Sequence, residues 1–222
     1  MDLIELKDIN FEYEKGEPVL TDFSLTIEEG SCVVIRGDNG SGKSTLFRIL
    51  NGLSFGGSGE YLFKGTKIDA EYLKDNSGAK RFHKAIGYLF QNPDTMLFNS
   101  SVYDEIAFGP RQMGLTDEEV DERVIDCLKL FDIESLKDKV PYHLSGGQKK
   151  MVAFAAVIAL DPEVLVLDEP FAGLDQKKID WLLGFLKELK AAGKTLIIAT
   201  HRDDVNEGLA DKTIELKIPA SE

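Results

Sequence analysis

Apolar positions along this chain follow two rhythms that take turns. Short runs of strand character occupy residues 3–11, 24–27 and 31–36, then 59–63 and 66–68 about a Lys64-Gly65 turn. Others fall at residues 86–90, 164–167, 195–199 and 213–217. Between them the spacing lengthens to that of a helix. Leu46, Ile49, Leu50 and Leu53 recur at i, i+3, i+4 and i+7, and Ile179, Leu182, Leu183, Leu186 and Leu189 form a second stripe. Residues 151–160 are apolar on every side, which predicts a buried helix. Alternating strands and helices predict an α/β fold with a largely parallel sheet, its first two strands forming an antiparallel pair. From about Gln91 to Gly146 no strong strand appears. Val120, Val124 and Leu128 mark a helix there, with Asp and Lys on its other face. This stretch reads as a mainly helical subdomain inserted into the α/β core.

Composition narrows the class. A chain of 222 residues, 43% hydrophobic and 29% charged, suits one large domain, or one domain with an embedded subdomain, and excludes disorder. The formal net charge of −13 argues against a general nucleic-acid surface, which needs clustered Lys and Arg. It leaves open a phosphate ligand held by a few local N–H groups and one or two cations. The longest apolar run, residues 151–160, is half the roughly 20 residues of a membrane span. Met1-Asp2-Leu3-Ile4-Glu5 lacks the basic and apolar regions of a signal peptide. Any membrane crossing is therefore expected of another chain. Cys32 and Cys127 lie far apart in apolar settings, outside any C-x-x-C pair, and read as small core residues in a reducing compartment.

The candidate chemistry begins at Gly37-Asp38-Asn39-Gly40-Ser41-Gly42-Lys43-Ser44-Thr45, which fits G-x-x-x-x-G-K-[ST] between a strand and a helix. Glycines let the backbone wrap round phosphates with its N–H groups inward. The helix beginning near Lys43 adds its positive dipole end. Lys43 is expected to reach the β- and γ-phosphates of a nucleotide, and Ser44 to ligate Mg²⁺. Behind this loop, residues 164–167 form a buried strand ending in Asp168-Glu169. Paired carboxylates at such a place are costly unless a cation or a reaction uses them. Asp168 is placed to hold Mg²⁺, directly or through water, and Glu169 to polarise an attacking water as general base.

Leu144-Ser145-Gly146-Gly147-Gln148 matches the signature sequence of the ABC ATPases, and the chain resembles that family along nearly its whole length. Ser145 with the amides of Gly146 and Gly147 opens the apolar helix, a second anion site at a helix N-terminus. A bare serine cap would explain Ser145 but not the two glycines and the glutamine after it. The resemblance implies a P-loop NTPase core of ABC type with an antiparallel β subdomain and an inserted helical subdomain. It would be a single domain over residues 1–222, with core at 1–90 and 147–222 and the insert at about 91–146. It also implies a head-to-tail dimer in which the signature residues of one cassette, Ser145 to Gln148, close on ATP held by the loop of the other. Gln91 matches the Q-loop glutamine, a Mg²⁺ and water contact. Asp175, in Gly173-Leu174-Asp175, matches the D-loop that touches the opposite cassette, and His201 the switch histidine on the γ-phosphate. Tyr13 stands where an aromatic stacks on adenine, against the alternative of a strand tyrosine packed on the core.

Gln91-Asn92-Pro93-Asp94, Leu97-Phe98, Val102, Glu105 and Ala107-Phe108-Gly109-Pro110 are similar to the ATPases of energy-coupling factor importers, the cobalt, nickel and vitamin group. That likeness implies a second ABC ATPase subunit, in a homodimer or a heterodimer, and a peripheral place on the cytoplasmic face of the cell membrane. It implies a transmembrane coupling subunit, received by a groove lined by residues 91–110, and a substrate-binding membrane subunit. Met151 departs from the arginine common at its position. The chain also ends at Glu222, where members of the branch often continue into an extension that aids dimer contact. The competing class is a non-transport soluble ABC ATPase acting on a nucleic-acid or ribosomal partner. Such members carry a long coiled coil or two tandem cassettes, and neither is written here.

Overall fold

The structure, a computed structural model, describes residues 1–218, so Glu222 lies outside the described residues. It opens with β1 (Asp2–Glu12) and β2 (Pro18–Glu28), paired antiparallel. β2 starts six residues before the expected strand because a bulge interrupts its alternation. Asp8 and Asp22 both adopt positive φ, 49° and 45°. Asn10 bridges them, its Nδ2 donating to Asp8 O and Asp22 Oδ1 and its Oδ1 accepting from Asp22 N. Short polar side chains tolerate that backbone region, and the extra residues break the period of two.

β3 (Cys32–Arg36) leads into α1 (Lys43–Leu50), and β4 (Ser58–Phe63) pairs with β1 and with β5 (Thr66–Lys67). α1 is shorter than its apolar stripe predicts. Its backbone turns at Gly52 (φ 66°), where a side chain would meet Leu73 at 2.5 Å, and Leu53 is left 46% exposed. α2 (Asn76–Ala85) then runs into β6 (Ile86–Leu89). Next come α3 (Val102–Gln112), α4 (Asp117–Leu130) and α5 (Gly146–Ile158). The chain continues through β7 (Val164–Asp168), α6 (Gln176–Ala191), β8 (Thr195–Ala199), α7 (Asp203–Gly208) and β9 (Lys212–Glu215).

Five strands form a parallel sheet in the order β6-β7-β8-β3-β9, and β2-β1-β4-β5 form a separate antiparallel one. Strands buried on both faces read as continuous apolar runs, which is why β3, β7 and β8 were easy to see in the sequence. The period of two assigns their side chains. Val33, Ile35, Val164, Val166 and Ile197 face α1 and the antiparallel sheet. Val34, Leu165, Leu167, Leu196 and Ile198 face α4, α5 and α6. On that second side Phe131, just past α4, lies edge-on to Trp181 of α6 at 5.4 Å, and Trp181 stacks on Phe185 at 5.3 Å. Cys32 and Cys127 are buried, and burial pushes their thiols up to about 12 and about 11.

Two helices start on reciprocal caps that hold their first turns in register. Thr116 and Glu119 cap α4, and Ser145 and Gln148 cap α5. No helix among the described residues is long and apolar enough to cross a membrane.

Candidate active site

The loop between β3 and α1 is shaped by its glycines. Gly37 has φ 144°, and a Cβ there would come within 2.4 Å of Leu216 O and 2.5 Å of Ser41 Oγ. No other residue closes this turn. Lys43 Nζ folds back to donate to Gly37 O at 2.5 Å and Asp38 O at 2.9 Å. Its ammonium is therefore held at the loop mouth by carbonyls that an anion would replace. Ser41 Oγ is buried with no hydrogen-bond partner among the described residues.

A cavity of about 410 Å³ stands over this loop. It is lined by Tyr13, Val19, Asn39, Gly40, Gly42, Lys43, Ser44, Thr45, Gln91, Asp168, Glu169 and His201. Every expected phosphate, metal and catalytic residue except Ser41, which is buried beneath, meets in this one hollow. Ser44 Oγ lies 3.3 Å from Asp168 Oδ2. Two hard oxygen donors so close suit Mg²⁺, which takes a few protein oxygens and completes its octahedron with phosphate and water. Tyr13 is 61% exposed just past β1, edge-on to Phe11, with its hydroxyl 3.2 Å from Thr45 Oγ1. The ring stands at the cavity rim, not in the core, so a flat ligand can lie against it.

The carboxylates differ in setting. Asp168 is 4% exposed, and burial raises its pKa, offset by the Ser44 hydrogen bond and the charges of Lys43 and Lys150. Glu169 follows at φ 44°, a left-handed backbone rare for glutamate. Its Oε1 is 3.5 Å from His201 Nε2. Burial raises its pKa too; His201 opposes this, and Asp168 adds to it. The site thus favours a carboxylate that holds a proton more readily than in water, beside an imidazole.

The signature residues Ser145, Gly146, Gly147 and Gln148 and the D-loop residue Asp175 are not brought to this cavity. They gather elsewhere: a Cβ on Gly147 would sit 3.4 Å from Gly173 O. Ser145 Oγ accepts from Gln148 N at 3.3 Å, and Asp175 Oδ1 accepts from Lys178 N at 2.9 Å as the cap of α6. Two residues were missed by sequence reasoning. Val19 lines the cavity from β2, with no signal in its run. Lys150, two residues past the signature, is 2% exposed and donates to both the Gln91 and Glu169 carbonyls. A lysine inside an otherwise apolar helix was the available hint.

A larger groove of about 900 Å³ lies away from the loop, between Lys84 of α2, Pro110 near the end of α3, Met113 and Leu115 after it, α4, and residues 158–161. Of residues 91–110, only Pro110 lines it. Phe98 and Phe108 form an exposed edge-on pair of their own at 5.0 Å.

The family profile described as ABC transporter matches residues 20–172. The nickel import ATP-binding protein LarO of Lactiplantibacillus plantarum is 46% identical over 96% of this chain and 88% of its own. The energy-coupling factor transporter ATP-binding protein EcfA of Methanocaldococcus jannaschii is 43% identical over 96% of this chain and 75% of its own. Among solved structures, a dimeric ATP-binding cassette in a post-hydrolysis state with ADP and Pi superposes with a TM-score of 0.88. It is 29% identical, over 99% of this chain and 97% of the other.

Proposed function

We propose, from the premise that this chain belongs to the ABC transporter family and is an ATP-hydrolysing cassette of it, that it drives an importer of energy-coupling factor type. Proteins of this family dimerise and work with membrane components. The finer reading is uptake of a metal ion or vitamin through a coupling subunit and a substrate-binding membrane subunit. The cassette would lie on the cytoplasmic face of the membrane. Its support is the likeness to relatives named for nickel import and for energy-coupling factor transport.

In the chemical step the triphosphate occupies the loop from Asn39 to Thr45. Lys43 leaves the Gly37 and Asp38 carbonyls to donate to the phosphates. Tyr13 stacks on the base, a contact worth about 1–3 kcal/mol by analogy with bases stacked in nucleic-acid sites. Ser44 and Asp168, with Gln91 nearby, would hold Mg²⁺, which supplies charge neutralisation on the phosphate oxygens. Glu169 orients a water on the γ-phosphorus and takes its proton as the P–O bond to that water forms. The β,γ-bridging oxygen leaves with ADP. His201 donates to the γ-phosphate. The signature residues Ser145 to Gln148 and Asp175, facing away from their own cavity, complete the site of a second copy or a sister ATPase. ATP bound between two cassettes holds them closed, and its hydrolysis removes the bridge.

In the larger groove Glu119, Glu122, Asp126 and Asp161 outnumber Lys84 and Arg123 about Met113, Leu115 and Leu160, which suits an apolar segment with basic residues from the membrane subunit. The exposed Phe98 and Phe108 pair adds a second apolar contact.

The observation that carries the catalytic reading is Glu169 Oε1 at 3.5 Å from His201 Nε2 above Lys43, Ser44 and Asp168. Glu169→Gln is expected to lower turnover by about 10²–10⁴ and leave ATP affinity intact; wild-type turnover would reject Glu169 as the base. For the importer reading, tagged protein is recovered from detergent-solubilised native membranes. A small polytopic subunit is expected with it, and recovery with soluble partners alone would overturn transport.

A further inference from the structure

The first turn of α5 sends two adjacent lysines to the segment after β6. Lys149 Nζ lies 2.6 Å from Asp94 Oδ1 at the surface. Lys150 turns inward, where Nζ donates to Gln91 O at 2.8 Å and to Glu169 O at 3.3 Å. Its helix neighbours Met151, Val152, Ala153 and Phe154 are all buried and apolar. An ammonium placed among them is unfavourable unless its donors are satisfied, and two carbonyls do so. Both carbonyls belong to residues of the reaction rather than to a helix end in need of a cap.

Glu169 is a residue that has to be held. Its φ of 44° is a sparsely populated conformation that persists only when its surroundings fix it. Its N–H donates to Ala199 O at 3.0 Å, and its carbonyl accepts from Ala172 N at 3.2 Å and from Lys150. The first two partners lie in β8, which precedes His201, and in the turn after β7. Lys150 is the partner that belongs to the helix capped by the signature serine.

We propose that Lys150 is a positioning residue for hydrolysis. It fixes the main chains of Gln91 and Glu169 in register with the signature helix, so that the catalytic carboxylate follows that helix when it moves. The three rotatable donors of one ammonium serve two carbonyls from different parts of the chain, which an apolar side chain at this position cannot do. This rests on the reading of Glu169 as the base.

A double-mutant cycle on the full chain with MgATP tests it. Lys150→Met keeps most of the unbranched apolar stem and loses the donors. It is expected to lower kcat by about 10–100-fold, the scale of a misplaced reacting group, with KM and nucleotide Kd unchanged. Lys150→Arg, which restores a buried cationic donor, is expected to recover most of that loss. In the Glu169→Gln background Lys150→Met is expected to cost nothing further, because the group it positions is gone. An equal loss in both backgrounds overturns the proposal, and so does a fall in Kd affinity that accounts for the whole effect. Normal Lys150→Met beside a slow Glu169→Gln removes the proposal alone. Wild-type turnover in Glu169→Gln removes the base reading and the proposal with it. If the methionine variant does not fold, Lys150→Gln, too short to reach both carbonyls, carries the same comparison.

Discussion

Glu105 makes a sharp test of how the segment after the Q-loop is held. It is 5% exposed on α3, and its Oε2 accepts from Phe98 N at 2.9 Å and Asn99 N at 2.8 Å. One buried carboxylate oxygen therefore holds the turn that displays Phe98, which is 67% exposed. A hydrogen bond to a charged group contributes about 1.5–3 kcal/mol net, its desolvation already counted. Glu105→Ala removes two and leaves two amides without that acceptor, so it is expected to destabilise by about 3–5 kcal/mol. Glu105→Gln keeps an acceptor oxygen but no charge, and neutral bonds of about 1 kcal/mol each leave a loss of about 2 kcal/mol. At roughly 2–4 °C per kcal/mol for a chain of this size, the alanine variant should melt some 6–20 °C lower. Urea unfolding gives the free energies, and hydrogen exchange at the Phe98 and Asn99 amides localises them. ATP affinity should be unchanged, because Glu105 does not line the nucleotide cavity. Recovery of the membrane subunit should fall as Phe98 loses its fixed place. Equal stabilities for the two variants, or unchanged exchange at both amides, would refute the carboxylate anchor.

Three further outcomes are expected. Lys43→Ala should weaken ATP binding itself, measured by calorimetry, and unchanged affinity would contradict the phosphate-loop assignment. Cys32 and Cys127, buried with thiols at about 12 and about 11, should resist iodoacetamide at pH 8 in native protein and react once unfolded in urea; prompt native labelling would place them wrongly in the core. Burial pushes the Asp211 carboxyl up, but hydrogen bonds from Lys190 and the Cys32 amide outweigh this and hold it below its usual 3.8. A depressed pKa contributes stability above the unfolded value that is lost as pH falls through the folded one. Asp211→Ala should therefore cost about 1–3 kcal/mol in urea unfolding at pH 7, through the unpartnered Cys32 amide. The gap to wild type should narrow below pH 3.8, and a pH-independent gap would count against the ion.

What the sequence disclosed follows from where physics writes locally. The phosphate loop, the acid pair and the signature were legible because each needs particular residues at fixed spacing. The buried parallel strands were legible because both of their faces are apolar. α2 was not: Asn-Ser-Gly-Ala-Lys-Arg-Phe-His-Lys-Ala buries only Gly78, Phe82 and Ala85, and it starts on an Asp75 cap that resembles a turn. α3 hid behind Gly109-Pro110, which read as helix breakers in the sequence yet lie inside its C-terminal turn. The early half of β2 was masked by its bulge. Lys150 was legible as a residue but not as a contact, since its partners are carbonyls from residues 59 and 19 positions away. The sequence also placed the signature and the phosphate loop in one chain, and the folded chain keeps them in separate places.

The aromatic contact between Phe131 and α6 gives the molecule an optical gauge of its own. Trp181 is the sole indole of the chain, 37% exposed, stacked on Phe185 and edge-on to Phe131. Phe131 belongs to the stretch between the Q-loop and the signature, while Trp181 and Phe185 belong to the nucleotide core. Excitation at the long-wavelength edge of indole absorption, where the six tyrosines of the chain absorb little, therefore reads this one junction with no dye or engineered label. If nucleotide slides the two parts of the proposed cassette past each other, the polarity around this single emitter is expected to change, so that its colour and lifetime would report the stroke.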